Sequence, residues 1–179
     1  MKTRNLVQCA LMLLFSLSVI GCASTAPRAK FTQPIPPASL IAAKDETNVK
    51  IEMDAKVKIS DAAQVRLADK IKEAVATRQA ANSPIRERKS FEVAIRLTNY
   101  DEGNAFARAM LAGLGQMHID GVVNLFEEPV HTKVGEFRIN KTFAWGGMYG
   151  ASVSMADIEN AFADGVAAAL TGQKEKPKK

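Results

Sequence analysis

Cysteine, histidine and tryptophan are scarce in this chain. Its 179 residues include two cysteines, two histidines and one tryptophan. The histidines, His118 and His131, are too few and too far apart in the pattern for a histidine-rich zinc site, and no serine stands in the turn that presents a hydrolase nucleophile. We therefore expect no catalytic residue and no metal site.

Nucleotide-binding loops are missing as well. Gly113 and Gly115 lack the third glycine of a dinucleotide fingerprint, and no Gly-Lys-Ser/Thr follows Gly146 and Gly147. The sequence therefore predicts no cofactor.

The positive charge of the chain is concentrated at its two ends. The formal net charge is +5, of which Lys2 and Arg4 lie in the first residues and residues 173–179 contribute four lysines and one glutamate. The body between them is close to neutral, so the basic composition does not indicate nucleic acid as a partner. Residues 173–179 are polar and charged, and we expect a disordered tail there.

The first 21 residues have the organisation of a secretion signal. Two basic residues precede an apolar stretch from Leu6 to Ile20, which is shorter than the roughly 20 residues of a permanent membrane span. Residues 1–21 are therefore predicted to be a signal peptide.

The end of this segment resembles the bacterial lipobox. Val19-Ile20-Gly21 precedes Cys22, and in proteins with that motif the cysteine becomes the acylated first residue of the mature chain. The alternative is an ordinary signal peptide that happens to contain a cysteine. Ala23 follows where inner-membrane retention usually has aspartate, so the resemblance favours the outer membrane, facing the periplasm. Cys9 would leave with the signal, so no thiol would remain for a disulfide.

Residues 22–47 are predicted to be a lipidated tether because prolines recur there, although Phe31, Leu40 and Ile41 could pack on the domain.

A single domain is expected over residues 48–172. Alternating apolar residues predict strands at 49–59, 91–97, 117–126 and 137–145, and two apolar stripes predict helices after Ser60 and after Ser154. The order β-α-β-β-β-α predicts an α+β two-layer sandwich, with two helices on one face of a four-stranded, mostly antiparallel sheet.

Two glycine-rich segments fit neither period. The first runs from Gly103 to Gly115 and joins the second and third strands; the second follows Trp145 and joins the fourth strand to the last helix. The strand order predicts that both lie at one end of the sheet. We interpret them as a candidate interaction surface for a partner, self-assembly or lipid; alternatively, the first segment is a short helix whose apolar residues close the core. The candidate residues are Gly103, Phe106, Arg108, Met110, Gly113, Gly115, Trp145, Gly146, Gly147 and Tyr149, with Leu111, Leu114 and Met148 also among the apolar ones.

Arg108 is the one cation of the first segment. We expect it to form a local ion pair with Asp101, Glu102 or Asp120, and we expect Arg108→Ala or Gly115→Val to remove a partner while leaving the fold intact.

The combined pattern resembles a family of uncharacterised bacterial lipoproteins that carry a domain of unknown function of the 4410 type. The resemblance covers roughly residues 48–171 and depends on GNAFARAMLAGLGQMHIDG, GEFRINKTFAWGGMYGAS and DIENAFADGVAAAL. It brings no known activity. The sequence therefore predicts a non-enzymatic, membrane-anchored envelope lipoprotein that binds or scaffolds an envelope protein or itself. A carrier of small lipid or glycan ligands and an oligomeric secretion component are the alternatives.

Overall fold

The computed structural model describes residues 26–81, 86–110, 114–145 and 147–174. The predicted signal peptide, Cys22 and residues 175–179 lie outside these ranges. The described strands are β1 (Lys30–Gln33), β2 (Glu46–Met53), β3 (Ser90–Asp101), β4 (Met117–Glu128) and β5 (Thr132–Phe143). The helices are α1 (Asp61–Gln79), α2 (Ala105–Met110), α3 (Gly147–Ser152) and α4 (Met155–Thr171), and a short 3-10 turn covers Pro37–Ser39.

The strands form one mixed sheet in the order β1-β5-β4-β3-β2. All neighbours are antiparallel except β2 and β3, which are parallel. Helix α1 carries the chain back to the end of the sheet from which β2 started, so β3 has to run in the same direction as β2. The α+β class and a sheet with mostly antiparallel pairs are confirmed, but the predicted four strands are corrected to five, and one pair is parallel.

Helices α1 and α4 cover one face of the sheet and pack against each other. The four-residue spacing of the last helix is confirmed, because Ile158, Phe162, Val166 and Leu170 are all buried against the sheet. The first predicted strand is shorter than its alternation indicates. It ends at Met53, where the Asp54 amide donates to the Leu97 carbonyl and the chain turns.

The folded body starts well before residue 48, where the sequence pattern places it. Strand β1 pairs with β5, and Ile41 and Ala42 are buried in the core. The Ile41 amide also donates to the carbonyl of Leu170 at 2.9 Å. Residues 30–47 are therefore part of the domain rather than a tether, because their few apolar side chains find a surface that the local composition does not reveal.

A buried ionic cluster joins the two long helices. The carboxylate of Glu159 on α4 is fully buried and accepts from Arg66 Nε at 2.9 Å and Nη2 at 2.8 Å. It also accepts from the Tyr100 hydroxyl at 2.8 Å and pairs with Lys70 at 3.2 Å. Burial works to raise the pKa of Glu159, but the hydrogen bonds from Arg66, Tyr100 and Lys70 outweigh it and hold that pKa below its usual value. The sequence pattern does not predict this cluster. Glu159 does lie on the apolar stripe of its helix, and that position favours burial.

The start of the predicted tail is packed on the domain. Gln173 Nε2 donates to the Arg78 carbonyl at 2.7 Å, and Arg78 Nη1 donates to the Lys174 carbonyl at 3.1 Å. The domain therefore extends two residues beyond its expected end at 172. None of the helices in the described ranges has the length and apolar character needed to cross a membrane.

Candidate interaction surface at the glycine-rich end

The structure brings the two glycine-rich segments together. Strand β3 ends at Asp101 opposite His118, and β5 ends at Phe143 opposite Met117. Both strands therefore finish at the end of the sheet where β4 begins. The first segment contains α2 and the second contains α3, and these two helices are in contact. We call this end of the sheet the glycine-rich end.

Arg108 holds this end together. Its side chain is buried, with Nε donating to the Gly150 carbonyl at 3.2 Å and Nη1 donating to the carbonyls of Glu102 and Gly115 at 3.2 and 2.9 Å. The expected ion pair is therefore wrong. Asp101 instead accepts from the Gly103 amide, and Asp120 pairs with His118. A guanidinium has five donors in a planar fork, which suits several backbone carbonyls that would otherwise be buried without a partner.

Gly103 and Gly115 close the base of the first segment. Both have positive φ, and a Cβ at Gly115 would lie 2.3 Å from the Asn104 carbonyl oxygen. A Cβ at Gly103 would lie 2.2 Å from the Gln116 carbonyl oxygen. These glycines and Arg108 are thus parts of the backbone frame of this end. The contacts therefore favour the opposite of the sequence-based expectation, namely that Arg108→Ala or Gly115→Val disturbs the local fold.

The large apolar side chains that the structure describes in and beside the two segments are exposed, whereas Leu111 lies outside the described residues. We call the following six residues the apolar end cluster: Phe106, Met110, Leu114, Trp145, Met148 and Tyr149. Met148 is 92% exposed and Phe106 is 75% exposed. Trp145 and Tyr149 meet edge to face, with ring centroids 5.8 Å apart. The first segment does contain a short helix, as the alternative interpretation holds, but Phe106 and Met110 point to solvent and do not close the core.

The remaining candidate residues have different positions. Gly147 begins α3 with positive φ, and a Cβ there would meet nothing within 4 Å. Gly113 and Gly146 lie outside the described residues. Arg108 is the one charged residue of α2 and α3 and it is buried, so the exposed surface of these two helices is uncharged.

His118 takes part in a short hydrogen-bonded chain on the sheet face opposite α1 and α4. Its Nδ1 lies 2.8 Å from the Thr142 hydroxyl, and its Nε2 lies 3.0 Å from an Asp120 carboxylate oxygen. The distances suit a nucleophile, a base and an acid, but Thr142 lies within a regular strand and lacks the sharp turn that presents a triad nucleophile. We interpret this chain as cross-strand pairing, since His118 and Thr142 are register partners.

His131 lies at the opposite end of the sheet, in the turn between β4 and β5. Its Nδ1 is 2.9 Å from Glu128, and one ligand atom from each of Glu92, Glu128 and His131 falls within a 4.8 Å group. The sequence analysis missed this group. Lys50 already pairs with Glu92 at 2.5 Å, and His131 already pairs with Glu128. A surface ion pair and a histidine–carboxylate hydrogen bond thus account for the cluster.

The open face of the sheet carries a basic groove that the sequence pattern does not predict. Its volume is about 480 Å³, and its cations are Arg28, Lys30, Arg96 and Arg138. Lys30 and Arg138 are direct cross-strand partners, so two like charges face each other. Asp54 pairs with Arg96 at 3.0 Å.

Comparison with known proteins decides the family. A family model described as a domain of unknown function (DUF4410) matches residues 35–147, which is more than half of the chain. The chain belongs to the DUF4410 family. The match begins within the segment that the structure adds to the domain, before residue 48. No curated protein matches this DUF4410 chain.

Several solved structures are similar to this DUF4410 domain at low sequence identity. The PelC dodecamer from Paraburkholderia phytofirmans gives a TM-score of 0.53 at 9% identity, covering 83% of this chain and 99% of the PelC chain. A DUF330 protein from Xanthomonas campestris gives 0.47 at 11% identity, with coverages of 81% and 91%. A minor lipoprotein from Acinetobacter baumannii gives 0.39 at 10% identity, with coverages of 73% and 94%. The PelC likeness shows a common fold and carries no activity with it.

Proposed function

We propose that this DUF4410 chain is a non-enzymatic, lipid-anchored protein of the cell envelope that binds or scaffolds another envelope component through the apolar end cluster. The observation that carries the proposal is the exposure of six large apolar side chains at one end of the sheet. A contiguous exposed apolar patch is typical of an interaction site, whereas single exposed apolar residues are ordinary.

The anchor is part of the proposal. The lipobox-like Val19-Ile20-Gly21-Cys22 supports acylation of Cys22, and Ala23 supports an outer-membrane position facing the periplasm. Two or more acyl chains on one cysteine would hold the domain stably at a membrane.

Photo-crosslinking in intact cells tests the apolar end cluster. A photoreactive residue is placed at position 106, 110 or 148, and Val130, which is 81% exposed at the opposite end, is the matched control position. We expect adducts from the three cluster positions and none from position 130. Equal labelling from position 130, or no adduct from any cluster position, would contradict the proposal.

The basic groove favours a second candidate function. Arg28, Lys30 and Arg138 would suit an anionic lipid or glycan fragment, so a small-ligand carrier would bind on the open sheet face. Native mass spectrometry of the purified chain, with Arg138→Ala beside the wild type, tests this function. A bound anion that Arg138→Ala loses would support it.

An oligomeric secretion component is the other candidate, because the PelC structure that shares the fold is a dodecamer. Light scattering of the purified chain in detergent tests it, and a monomer at all concentrations would exclude it.

A further inference from the structure

The chain enters the domain beside the half of β5 that leads to the glycine-rich end. Strand β1 is antiparallel to β5, with Lys30 beside Arg138, so the residues before Lys30 run toward the end of β5 that precedes Trp145. Arg28 lines the same groove as Asn140, which agrees with that direction. Pro27 then packs against Gly165 of α4, where a Cβ would lie 2.7 Å from the proline ring.

The length of the chain limits how far Cys22 can lie from the described residues. Four peptide steps join Cys22 to Ala26, and four residues span at most about 14 Å. Gly165, against which Pro27 packs, also lies beside Ile139, so about 13 Å of strand separates this level from the end of β5 and about 23 Å separates it from the start. The backbone of Cys22 can thus reach the level of the apolar end cluster, but not that of the turn that contains Val130.

The cluster has the composition of a surface that enters the membrane interface. Trp145 and Tyr149 are the two residue types enriched where a bilayer meets water, because each combines an apolar ring with a polar group. Met148 and Phe106 are the most exposed members of the cluster, and no exposed charge on α2 or α3 opposes their transfer from water. The acyl chains would already hold the domain at the membrane, and a second contact through the cluster would fix its orientation there.

We infer that the apolar end cluster docks on the lipid bilayer that holds the Cys22 anchor, so that the domain lies with its glycine-rich end on the membrane and its β4–β5 turn pointing away. The inference rests on the proposed lipid anchor and names the bilayer itself as the component that the cluster contacts. The domain then has a fixed orientation, in which the open face of the sheet is roughly perpendicular to the bilayer plane and is exposed to the aqueous phase beside it.

The single tryptophan makes the test direct. The acylated full-length protein is purified from membranes and reconstituted into vesicles of phosphatidylethanolamine and phosphatidylglycerol, with and without brominated acyl chains. Emission of Trp145 is recorded, together with its quenching by brominated lipid and by aqueous acrylamide. Met148→Asp is the variant and Val130→Asp is the control; both sites are largely exposed, and circular dichroism checks the fold.

In the wild type we expect a shift of Trp145 emission to shorter wavelength, quenching by brominated lipid and protection from acrylamide. Val130→Asp should behave like the wild type, and Met148→Asp should lose all three effects. Protection from acrylamide without quenching by brominated lipid would assign the cluster to a protein contact, such as a second copy, and would overturn the inference. Full acrylamide access in vesicles would overturn it too.

Intact-mass measurement on the same sample separates the two proposals. An acylated protein that stays in the vesicles while Trp145 remains in water would overturn bilayer docking and leave the proposed anchor standing. A protein without acyl mass that does not stay with the vesicles would overturn both.

Discussion

Arg108 Nε donates to the carbonyl oxygen of Gly150 across the contact between α2 and α3, at 3.2 Å. The two residues are 42 positions apart in the chain, and each belongs to a helix of only six residues. Helices this short are not stable alone, so this contact is a main reason why the end of the sheet has a defined shape. The apolar end cluster therefore lies mainly on two short helices whose contact one buried guanidinium stabilises.

Arg108→Ala should loosen the glycine-rich end. Three carbonyls lose their donor, and each buried polar group left without a partner costs about 1–3 kcal/mol, less whatever water can recover. We expect faster amide hydrogen exchange in residues 105–110 and 147–152 and a lower free energy of unfolding in urea. Arg88→Ala is the control, because Arg88 forms an exposed pair with Glu46 that is worth at most about 1 kcal/mol. Equal exchange in both variants would contradict the framing role of Arg108.

Gly115→Ala should destabilise the protein more than Gly147→Ala. Both glycines have positive φ, so alanine costs about 1–2 kcal/mol of backbone strain at either position. Only at Gly115 does the new Cβ also meet a backbone oxygen, at 2.3 Å, whereas nothing lies within 4 Å at Gly147. Urea denaturation of the two variants side by side measures the difference. Equal losses in the free energy of unfolding would show that the backbone does not pack closely around Gly115.

Glu159→Gln should lower the free energy of unfolding by about 1–3 kcal/mol, because the buried side chain loses its charge-assisted hydrogen bonds, while water can still solvate the partly exposed Arg66 and Lys70. Glu87→Gln is the control, since Glu87 is exposed and forms no ion pair in the described residues. If the two variants unfold at the same urea concentration, the cluster does not stabilise the contact between α1 and α4.

The same cluster gives stability a defined pH dependence. The pKa of Glu159 is lower in the folded chain than its ordinary value of 4.5, so the unfolded chain binds more protons when the pH is near or below that value. The stabilisation from Glu159 is therefore complete above about pH 4.5 and is lost as the pH falls through the folded-state pKa. Urea midpoints across that range should fall more steeply for the wild type than for Glu159→Gln. Parallel curves would refute the assignment.

Ile41→Ala should cost about 2–5 kcal/mol, as expected for a large side chain removed from a core. Ile41 is fully buried, although the prolines around it are typical of a tether. If residues 30–47 were a tether, the substitution would have no effect on stability. Val130→Ala, at an exposed position, should leave the thermal midpoint unchanged. The two midpoints together decide whether residues 30–47 stabilise the domain.

Local signals predicted the two long helices well. Ser60 accepts from the Ala63 amide at the start of α1, Ser154 and Asp157 form a capping box at the start of α4, and Gly172 ends α4 with positive φ. Each of these contacts joins residues within four or five positions of one another. Their geometry follows from residue type and spacing, so the sequence contains the information directly.

Contacts between distant residues escaped the sequence analysis. Strand β1 has four residues, with too little alternation to indicate a strand, and it exists because β5 presents a free edge about 100 residues later. Arg108 was expected to find a nearby carboxylate, but three backbone carbonyls surround it in the folded chain. The burial of Glu159 likewise depends on how α1 packs against α4.

The sequence by itself determined the secretion and lipobox-like pattern, the two capped helices, the alternating strands and the meeting of two glycine-rich segments at one end. These features depend on short-range spacing and on the order of elements along the chain. Only the tertiary structure decided that Arg108 is part of the frame and Phe106 part of the surface, although both belong to the same short helix. Which side of such a helix is buried depends on where its neighbours lie, and a six-residue segment has no repeated apolar stripe that would reveal it.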